Sequence, residues 1–378
     1  MAKKFRVGII FGGRSGEHEV SIRSAAAVIQ GIDHNKFEIL PIAITKEGKW
    51  LSPPQAIALL PTEARVLLPG KLEAQPASEV AIFGDPSHSG LVSLNLNGQT
   101  RSSEPLDVVF PLLHGPFGED GTIQGLLEMA NVPYVGCGVL ASSCGMDKVA
   151  MKSLFRDAGL PICKYIWCLR SDWRRNRESV LRKVKRELGY PCFVKPANLG
   201  SSVGVSKATD RESLVRAIDL AARYDRKIVI EEGLTAREIE CAILGNDQPI
   251  ASLPGEYVIH DESARFLDYA EKYTSTGHVE FVVPARLSKA VTEKIQRMAI
   301  RAFQSIDGAG LARVDFFLRE DTRELVVNEL NTMPGLTEVS GYPKMWAASG
   351  LKFPQLLARL IELAFERHRD KLLNRTSI

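Results

Sequence analysis

The stretch ELVVNELNTMPG, Glu324 to Gly335, decides how the rest of this sequence is interpreted. Leu325 to Val327 are apolar and predict a buried strand, yet acidic and amide side chains follow at once. Because side chains two residues apart in a strand share a face, Glu329 and Asn331 are predicted to point the same way. A buried carboxylate is costly unless another group neutralises it, so we expect Glu329 to have a positively charged partner.

A second candidate strand, LARVDFFL, carries Arg313 and Asp315 on one face. If it pairs with the strand of Glu329 and Asn331, two carboxylates, one carboxamide and one guanidinium converge. Such oxygen ligands suit Mg²⁺, which usually keeps several waters and also binds substrate phosphates. A structural ion pair between Arg313 and a carboxylate at a sheet edge explains the same residues at least as well.

Composition excludes several classes of protein. The chain has 378 residues, which predicts two or three domains, and its net charge of +3 gives no reason to expect a nucleic-acid partner. The six cysteines lack CxxC pairs and are predicted to be reduced thiols, as in cytosolic proteins. The N-terminal MAKKFRVGIIFGG predicts a first strand rather than a signal peptide, and no apolar run is long enough to span a bilayer. We therefore expect a soluble, cytoplasmic protein without a membrane partner.

The order of strands, glycine loops and helices predicts three units. Strand, glycine loop and helix recur over about the first 140 residues, which is typical of an α/β unit with a parallel sheet. Residues 50–105 are rich in Pro, Ser and Gly and are interpreted as irregular elaboration. The later strands and helices predict two further α+β units. The predicted domains are 1–141, 142–241 and 242–378.

Several charged residues lie beside glycine loops or strand ends. Lys195, in CFVKPANLGSSVGVSK, precedes a loop whose backbone N–H groups could hold phosphate oxygens, although the spacing is not that of a Walker A loop. Glu231 ends a strand where a carboxylate could bind ribose hydroxyls. Lys148 lies at a predicted helix start. Each residue also has a purely structural interpretation. Lys195 could be a solvated lysine in a tight hairpin, Glu231 could belong to a solvated acidic turn, and Lys148 could be a surface charge.

The first unit offers two further candidates. Glu17 follows Gly12-Gly13 at a helix start, where it could cap the helix or bind an ammonium group. His114 ends a candidate parallel strand, where open α/β sheets bind ligands, although a lone histidine is usually structural. In the third unit, RFLDYAEKYTS around Lys272 and Tyr273 predicts a loop that could act as a lid.

Taken together and in this order, the motifs resemble the D-alanine–D-alanine ligases of the ATP-grasp superfamily. The stretches that carry the resemblance are GGRSGEHEVS, HGPFGEDGTIQG, MDK, VKPANLGSSVGVSK, EEGLTAREIE, DYAEKY, ARVDFFL and NELNTMPGLTEVSGYPKMW, between residues 12 and 346. The resemblance implies a three-domain α/β fold. Its N-terminal domain has a parallel sheet, and its central and C-terminal α+β domains grip ATP. It also implies ATP-dependent joining of two D-alanine molecules through a D-alanyl phosphate, for peptidoglycan synthesis, by a homodimer.

The resemblance also assigns residues to ATP and metal. The residues implied to line the ATP site are Lys148, Lys195, Glu231, Leu234, Glu238 and Phe266. Lys272 and Arg313 would steady the transferring phosphoryl group. Two Mg²⁺ ions, with Mn²⁺ as an alternative, would be held by Asp315, Glu329 and Asn331.

The same resemblance assigns the amino-acid sites. Glu17 would bind the ammonium of the first D-alanine and form a cluster with Ser201 and Tyr273, with His114 beside that substrate. The groups implied to stabilise the oxyanion and to hold the second carboxylate are Arg313, the Gly335 backbone N–H, Ser340 and Lys272.

Three positions bear on specificity. Tyr273 goes with dipeptide synthesis in the family, whereas relatives that make a D-lactate ester carry a histidine in a different lid. Gly341 stands where a larger apolar residue is common, which could loosen the second-substrate pocket, and Gly233 stands where an aromatic residue is frequent. The alternatives are a D-lactate or mixed-specificity ligase, another carboxylate–amine ligase, a nucleotide-binding regulator without catalysis, and a purely structural α/β protein.

Overall fold

The computed structural model describes residues 3–73, 78–88, 90–94, 100–200, 203–259 and 279–375. Four of the predicted site residues, Ser201, Phe266, Lys272 and Tyr273, lie outside these ranges. Within the described ranges, no helix combines the length and apolarity that a membrane crossing requires.

The first unit is built on a seven-stranded sheet with the strand order β6-β5-β4-β3-β2-β1-β7. Its strands are β1 Phe5–Gly12, β2 Phe37–Ile44, β3 Trp50–Leu51, β4 Glu79–Ile82, β5 Leu91–Leu94, β6 Thr100–Glu104 and β7 Val108–Pro111. Its helices are α1 His18–Gly31, α2 Pro53–Ile57, α3 Thr62–Arg65, α4 Gly70–Glu73 and α5 Thr122–Met129. Strand β1 pairs in parallel with β2 and β7, so the loops after β1 and β7 meet at one edge of the sheet.

The region 50–105 differs from the prediction of irregular structure. Strands β3 to β6 lie there and extend the sheet by antiparallel pairing. These strands have between two and five residues. Strands this short are too brief to display a clear alternation of apolar and polar residues, which explains why the sequence pattern missed them.

Two helices, α6 Val139–Met146 and α7 Lys148–Asp157, connect the first unit to the rest of the chain. The Asp147 side chain caps α7 by accepting hydrogen bonds from the backbone N–H groups of Val149 and Ala150. Met151 and Phe155 of α7 are buried in the core of the third unit. Helix α7 is thereby fixed against the third sheet, with Lys148 at its first turn.

The second unit has a four-stranded antiparallel sheet with the order β10-β9-β11-β8. Its strands are β8 Tyr165–Leu169, β9 Cys192–Pro196, β10 Ser206–Ala208 and β11 Lys227–Glu232. Its helices are α8 Arg170–Arg175, α9 Arg177–Glu187 and α10 Arg211–Tyr224. Strands β9 and β11 lie side by side and carry Lys195 and Glu231.

The third unit has a six-stranded sheet with the order β15-β14-β12-β16-β17, and β13 pairs with β12. Its strands are β12 Ala236–Gly245, β13 Ile250–Ala251, β14 Gly255–Ile259, β15 Val279–Val282, β16 Gly310–Arg319 and β17 Leu325–Asn331. Its helices are α11 Lys289–Ser305, α12 Gly341–Ala348 and α13 Phe353–Lys371. Strand β12 crosses the predicted boundary at residue 241, and the predicted domain limits stay predictions.

Helix α13 joins the end of the chain to the first unit. Leu356, Leu360 and Leu363 lie in the same apolar core as β1, β2 and β7. Arg367 lies over the Tyr134 ring, 4.2 Å from its centroid, and donates a hydrogen bond to the Tyr134 carbonyl oxygen at 3.1 Å. The first and last parts of the chain therefore share one core.

Candidate active site

Strands β16 and β17 pair and bring the four polar residues of the opening motif together. Arg313 lies opposite Asn331 and Asp315 lies opposite Glu329, whereas Phe316 lies opposite Val327. Asn328 is therefore an extra residue in β17, which forms a β-bulge. The bulge leaves Glu329, in the edge strand β17, directly across from Asp315 in β16.

Arg313 neutralises the carboxylates beside it. Its Nε and Nη2 atoms each donate a hydrogen bond of 2.7 Å to Asp315, and its Nε lies 3.2 Å from Glu240 Oε1. Burial alone would lower the pKa of Arg313, but Asp315 and Glu240 outweigh it and hold this pKa well above its usual range. The guanidinium is therefore permanently charged.

The donor set at this position suits a phosphate-bound divalent cation. Asp315 and Glu329 contribute carboxylate oxygens, and the Asn331 amide donates to Asp315 Oδ2 at 3.1 Å, which leaves its carbonyl oxygen for other contacts. Among the described residues, no three His, Cys, Asp or Glu side chains are grouped as a complete metal site. Mg²⁺ usually binds through one or two carboxylates and completes its shell with waters and phosphate oxygens, so these residues fit it.

Two predicted lysines approach the same region from the second unit and from α7. Lys148 Nζ lies 3.7 Å from Glu329 Oε2 and donates to the Leu199 carbonyl oxygen at 2.8 Å. Lys195 Nζ donates to Glu231 Oε2 at 2.7 Å. Lys148 thus connects the acidic end of β17 with the glycine loop that follows β9.

The first unit contributes a carboxylate and a buried histidine. A Cβ atom built on Gly115 would lie 3.0 Å from Glu17 Oε2, and one built on Gly200 would lie 3.5 Å from the same atom. The Glu17 carboxylate therefore lies between the turn after β7 and the glycine loop after β9. Gly115 has φ +74°, a conformation that favours glycine.

His114 is held on both ring nitrogens. Its Nε2 lies 3.0 Å from Ser24 Oγ, and its Nδ1 lies 3.2 Å from the Met333 carbonyl oxygen. Burial lowers the pKa of His114 more than the nearby Glu17 carboxylate raises it, so the neutral imidazole is favoured. The contact with Met333 ties the first unit to the loop after β17.

That loop carries the last two predicted residues. A Cβ atom built on Gly335 would lie 3.0 Å from Ser340 Oγ, which itself lies 2.7 Å from Thr337 Oγ1. Ser340 precedes the first residue of α12. Gly335 and Ser340 are therefore neighbours, as a shared oxyanion and carboxylate site requires.

One cavity is lined by residues of all three units and of α6 and α7. Its lining residues are Glu119, Gly145, Met146, Lys148, Leu199, Gly200, Glu329, Leu330, Asn331 and Thr332. Leu234 and Glu238, which were predicted for the nucleotide, lie in the β11–β12 connection and in β12 and are not among them.

Two charged residues near this cavity were not singled out from the sequence. The Gly115 backbone N–H donates to Glu119 Oε2 at 2.7 Å, and burial together with the Glu17 charge raises the pKa of Glu119 to about 8. Lys152 pairs with Glu231 at 3.0 Å. Both residues stand in or beside quoted motifs, HGPFGEDG and MDK, and the i to i+4 spacing of Lys148 and Lys152 was an available signal.

Comparison with known proteins identifies the family. The family models D-ala D-ala ligase N-terminus and D-ala D-ala ligase C-terminus match residues 6–137 and 154–362. The chain belongs to the D-alanine–D-alanine ligase family. A D-alanine–D-alanine ligase of Heliobacterium modesticaldum is 49% identical over 374 residues, covering 99% of this chain and 98% of the relative. The resemblance stated from the motifs is confirmed.

Solved structures of the ligase family share the fold of this chain. The D-alanine–D-alanine ligase of Coxiella burnetii is 36% identical, with a TM-score of 0.81 over 98% of this chain and 97% of its own. The VanG D-Ala:D-Ser ligase of Enterococcus faecalis is 35% identical, with a TM-score of 0.81 over 96% of this chain and 100% of its own. The predicted three-unit ATP-grasp fold is confirmed.

Proposed function

We propose that this protein joins two D-alanine molecules to D-alanyl-D-alanine, with cleavage of ATP to ADP and phosphate, for cell-wall precursor synthesis. The observation that carries the proposal is the cavity in which Lys148, Glu329 and Asn331 meet the glycine loop of the second unit. Glu17 lies against Gly200 of the same loop, so an amino-acid site adjoins the phosphate site.

The phosphate side of the reaction is assigned to charged groups. Lys148 and Lys195 bind phosphate oxygens, and Asp315, Glu329 and Asn331 hold two Mg²⁺ ions, for which Mn²⁺ is an alternative. The ions supply positive charge for the phosphoryl group during its transfer. Arg313 is charged and fixed by two hydrogen bonds, so it can stabilise developing negative charge without reorganising.

The amino-acid side follows from the groups that the first unit and the loop after β17 supply. Glu17 binds the ammonium of the first D-alanine, whose carboxylate attacks the γ-phosphate, so that D-alanyl phosphate forms and ADP is released. His114, held neutral between Ser24 and Met333, packs beside that substrate. The amine of the second D-alanine, once it has lost a proton, then attacks the acyl carbon, the acyl C–O bond breaks, and phosphate leaves. Arg313 and the Gly335 N–H bind the oxyanion while Ser340 holds the second carboxylate.

Further assignments rest on the sequence motifs. Ser201, Tyr273 and Lys272 lie outside the described residues. By the resemblance, Ser201 and Tyr273 are assigned to the cluster of Glu17, and Lys272 to the phosphoryl group and the second carboxylate. Leu234, Glu238 and Phe266, the last also outside the described residues, are assigned to the nucleotide together with Glu231. A homodimer and the domain limits 1–141, 142–241 and 242–378 belong to the same proposal.

A second candidate product is D-alanyl-D-serine. It is favoured by the likeness to the VanG D-Ala:D-Ser ligase, which has the same TM-score as the Coxiella burnetii enzyme. Tyr273 instead favours D-alanine over D-lactate as the second substrate. The two amino acids differ by one hydroxyl group, so the choice depends on contacts at the second site.

The test is phosphate release from Mg-ATP, with the product identified by mass. D-Alanine alone, L-alanine alone, D-alanine with D-serine and D-alanine with D-lactate are compared. Release that requires D-alanine and yields D-alanyl-D-alanine supports the proposal. If the main product contains D-serine or D-lactate, that compound and not D-alanine is the second substrate. The absence of D-alanine-dependent phosphate release overturns the proposal.

A further inference from the structure

Lys152 is a buried lysine that the proposed mechanism does not use. It lies one helical turn after Lys148 in α7, and its side chain is 1% exposed. A buried ammonium group is costly unless several partners neutralise and hydrogen-bond it. The partners of Lys152 therefore indicate why a charge is kept at this position.

Those partners belong to two different sheets. Lys152 Nζ lies 3.0 Å from Glu231 Oε1, at the end of β11 in the second unit. It also donates a hydrogen bond of 3.0 Å to the Asn328 carbonyl oxygen, at the bulge of β17 in the third unit. A single ammonium group thus joins the two sheets between which the nucleotide is proposed to bind.

Glu231 is held by two lysines at once. Its Oε1 faces Lys152, and its Oε2 accepts a hydrogen bond from Lys195 at 2.7 Å. Burial alone would raise the pKa of Glu231, but the two lysines lower it to about 2. The carboxylate is thereby charged. Lys195 holds one oxygen by a hydrogen bond and Lys152 faces the other as an ion pair, so the position of the carboxylate depends on both lysines.

We propose that Lys152 is a positioning residue for the nucleotide: it fixes the Glu231 carboxylate against β17 without touching the nucleotide itself. The proposal rests on the nucleotide site of the proposed function. It differs from a general structural role because the effect of Lys152 on nucleotide binding passes through Glu231.

A double-mutant cycle tests this dependence. Affinity for Mg-ADP is measured by calorimetry for the wild type, Lys152→Met, Glu231→Gln and the double variant. We expect each single variant to bind about tenfold more weakly and the double variant to match Glu231→Gln within about twofold. The Lys152→Met variant should also raise KM for ATP while KM for D-alanine stays within about twofold.

Two results overturn the proposal. One is wild-type affinity for Mg-ADP in Lys152→Met. The other is a double variant whose fold-loss of affinity equals the product of the fold-losses in the two single variants. If Lys152→Met does not fold, the double variant carries the test. It removes one positive and one negative charge together, so the net charge of the cluster of Lys152, Lys195 and Glu231 is unchanged. An affinity below that of Glu231→Gln contradicts the proposal.

Arg319→Met is the matched control. Arg319 in β16 pairs with Glu232 in β11 at 2.7 Å, so it also ties the third sheet to the second. We expect this variant to keep wild-type affinity for Mg-ADP, and a loss equal to that of Lys152→Met would favour a general tie and overturn the proposal. Calorimetry does not depend on turnover, so a wild type that binds Mg-ADP without making dipeptide contradicts the proposed function alone.

Discussion

Glu329 is the residue on whose charge the candidate metal site depends most directly. Its side chain is 29% exposed, and Lys148 lies 3.7 Å away. Replacing Glu329 by Gln keeps the shape of the side chain and removes a carboxylate ligand. We expect turnover to fall by about 100-fold or more, because charge stabilisation of the transferring group is lost. Steady-state phosphate release at several Mg²⁺ concentrations measures this effect.

The matched control for that change is Glu324→Gln at the other end of β17. Glu324 is half-exposed, lies 3.8 Å from Arg319 and is not among the residues that line the cavity. An exposed ion pair contributes little, so turnover and melting temperature should stay near those of the wild type. Near-normal turnover in Glu329→Gln would show that Glu329 is not a metal ligand.

Glu119 should make the stability of the protein depend on pH. Its pKa is raised to about 8 from 4.5, so between these values the folded state holds a proton that the unfolded chain has released. Unfolding therefore becomes easier as pH rises from 4.5 to 8, by at most about 1.4 kcal/mol per pH unit. In Glu119→Gln this contribution disappears, and urea midpoints at pH 5.5 and 8.0 should lie closer together than in the wild type.

A control for the pH effect is Glu212→Gln, since Glu212 is exposed on α10. It should retain the wild-type dependence of the urea midpoint on pH. An unchanged dependence in Glu119→Gln would show that Glu119 is ionised in the folded protein.

At the scale of elements, the start of α12 is packed tightly between β12 and β15. A Cβ atom on Gly341 would lie 2.7 Å from Glu240 Oε2 and 2.9 Å from the Phe281 ring, so the space beside Gly341 is filled. We expect Gly341→Ala to destabilise the protein by about 1–3 kcal/mol in chemical denaturation, because no room exists for the added methyl group.

Gly125→Ala is the matched change, since nothing lies within 4 Å of a Cβ at Gly125 in α5. It should stabilise the protein by about 0.5–1 kcal/mol, as alanine is favoured inside helices. In the Gly341→Ala background, Phe281→Leu should recover part of the lost stability. If Gly341→Ala behaves like Gly125→Ala, the pocket is as open as the sequence suggested.

The strands and helices that carry the site were largely predictable, because each has a strong local pattern. Strands β16 and β17 were expected from their apolar runs, and their alternation placed Arg313, Asp315 and Asn331 on one face. The bulge at Asn328 was not predictable, since it depends on how the two strands align. Lys152 was missed because its partner Glu231 is 79 residues away in the chain. Glu119 was missed because its raised pKa comes from burial and from Glu17, 102 residues away.

At the scale of the whole molecule, the site depends on how the first unit is held against the third. Glu17 and His114 come from the first unit, and His114 contacts Met333 of the loop after β17. Helix α13 follows the third sheet in the chain and returns to the core of the first unit. The proposed amino-acid site would therefore rely on packing far from the residues that are assigned to it.

Leu360 of α13 tests this coupling. It is fully buried in the shared core, so Leu360→Ala should destabilise the protein by about 2–5 kcal/mol. Because α13 contacts both the first unit and the third sheet, we expect one unfolding transition at a lower temperature rather than two separate transitions.

Leu373→Ala, at a leucine that is 79% exposed beyond the end of α13, removes the same atoms without opening a cavity and should leave the transition unchanged. Calorimetry of the three proteins decides the matter. Two resolved transitions in Leu360→Ala would mean that the first unit unfolds independently of the third.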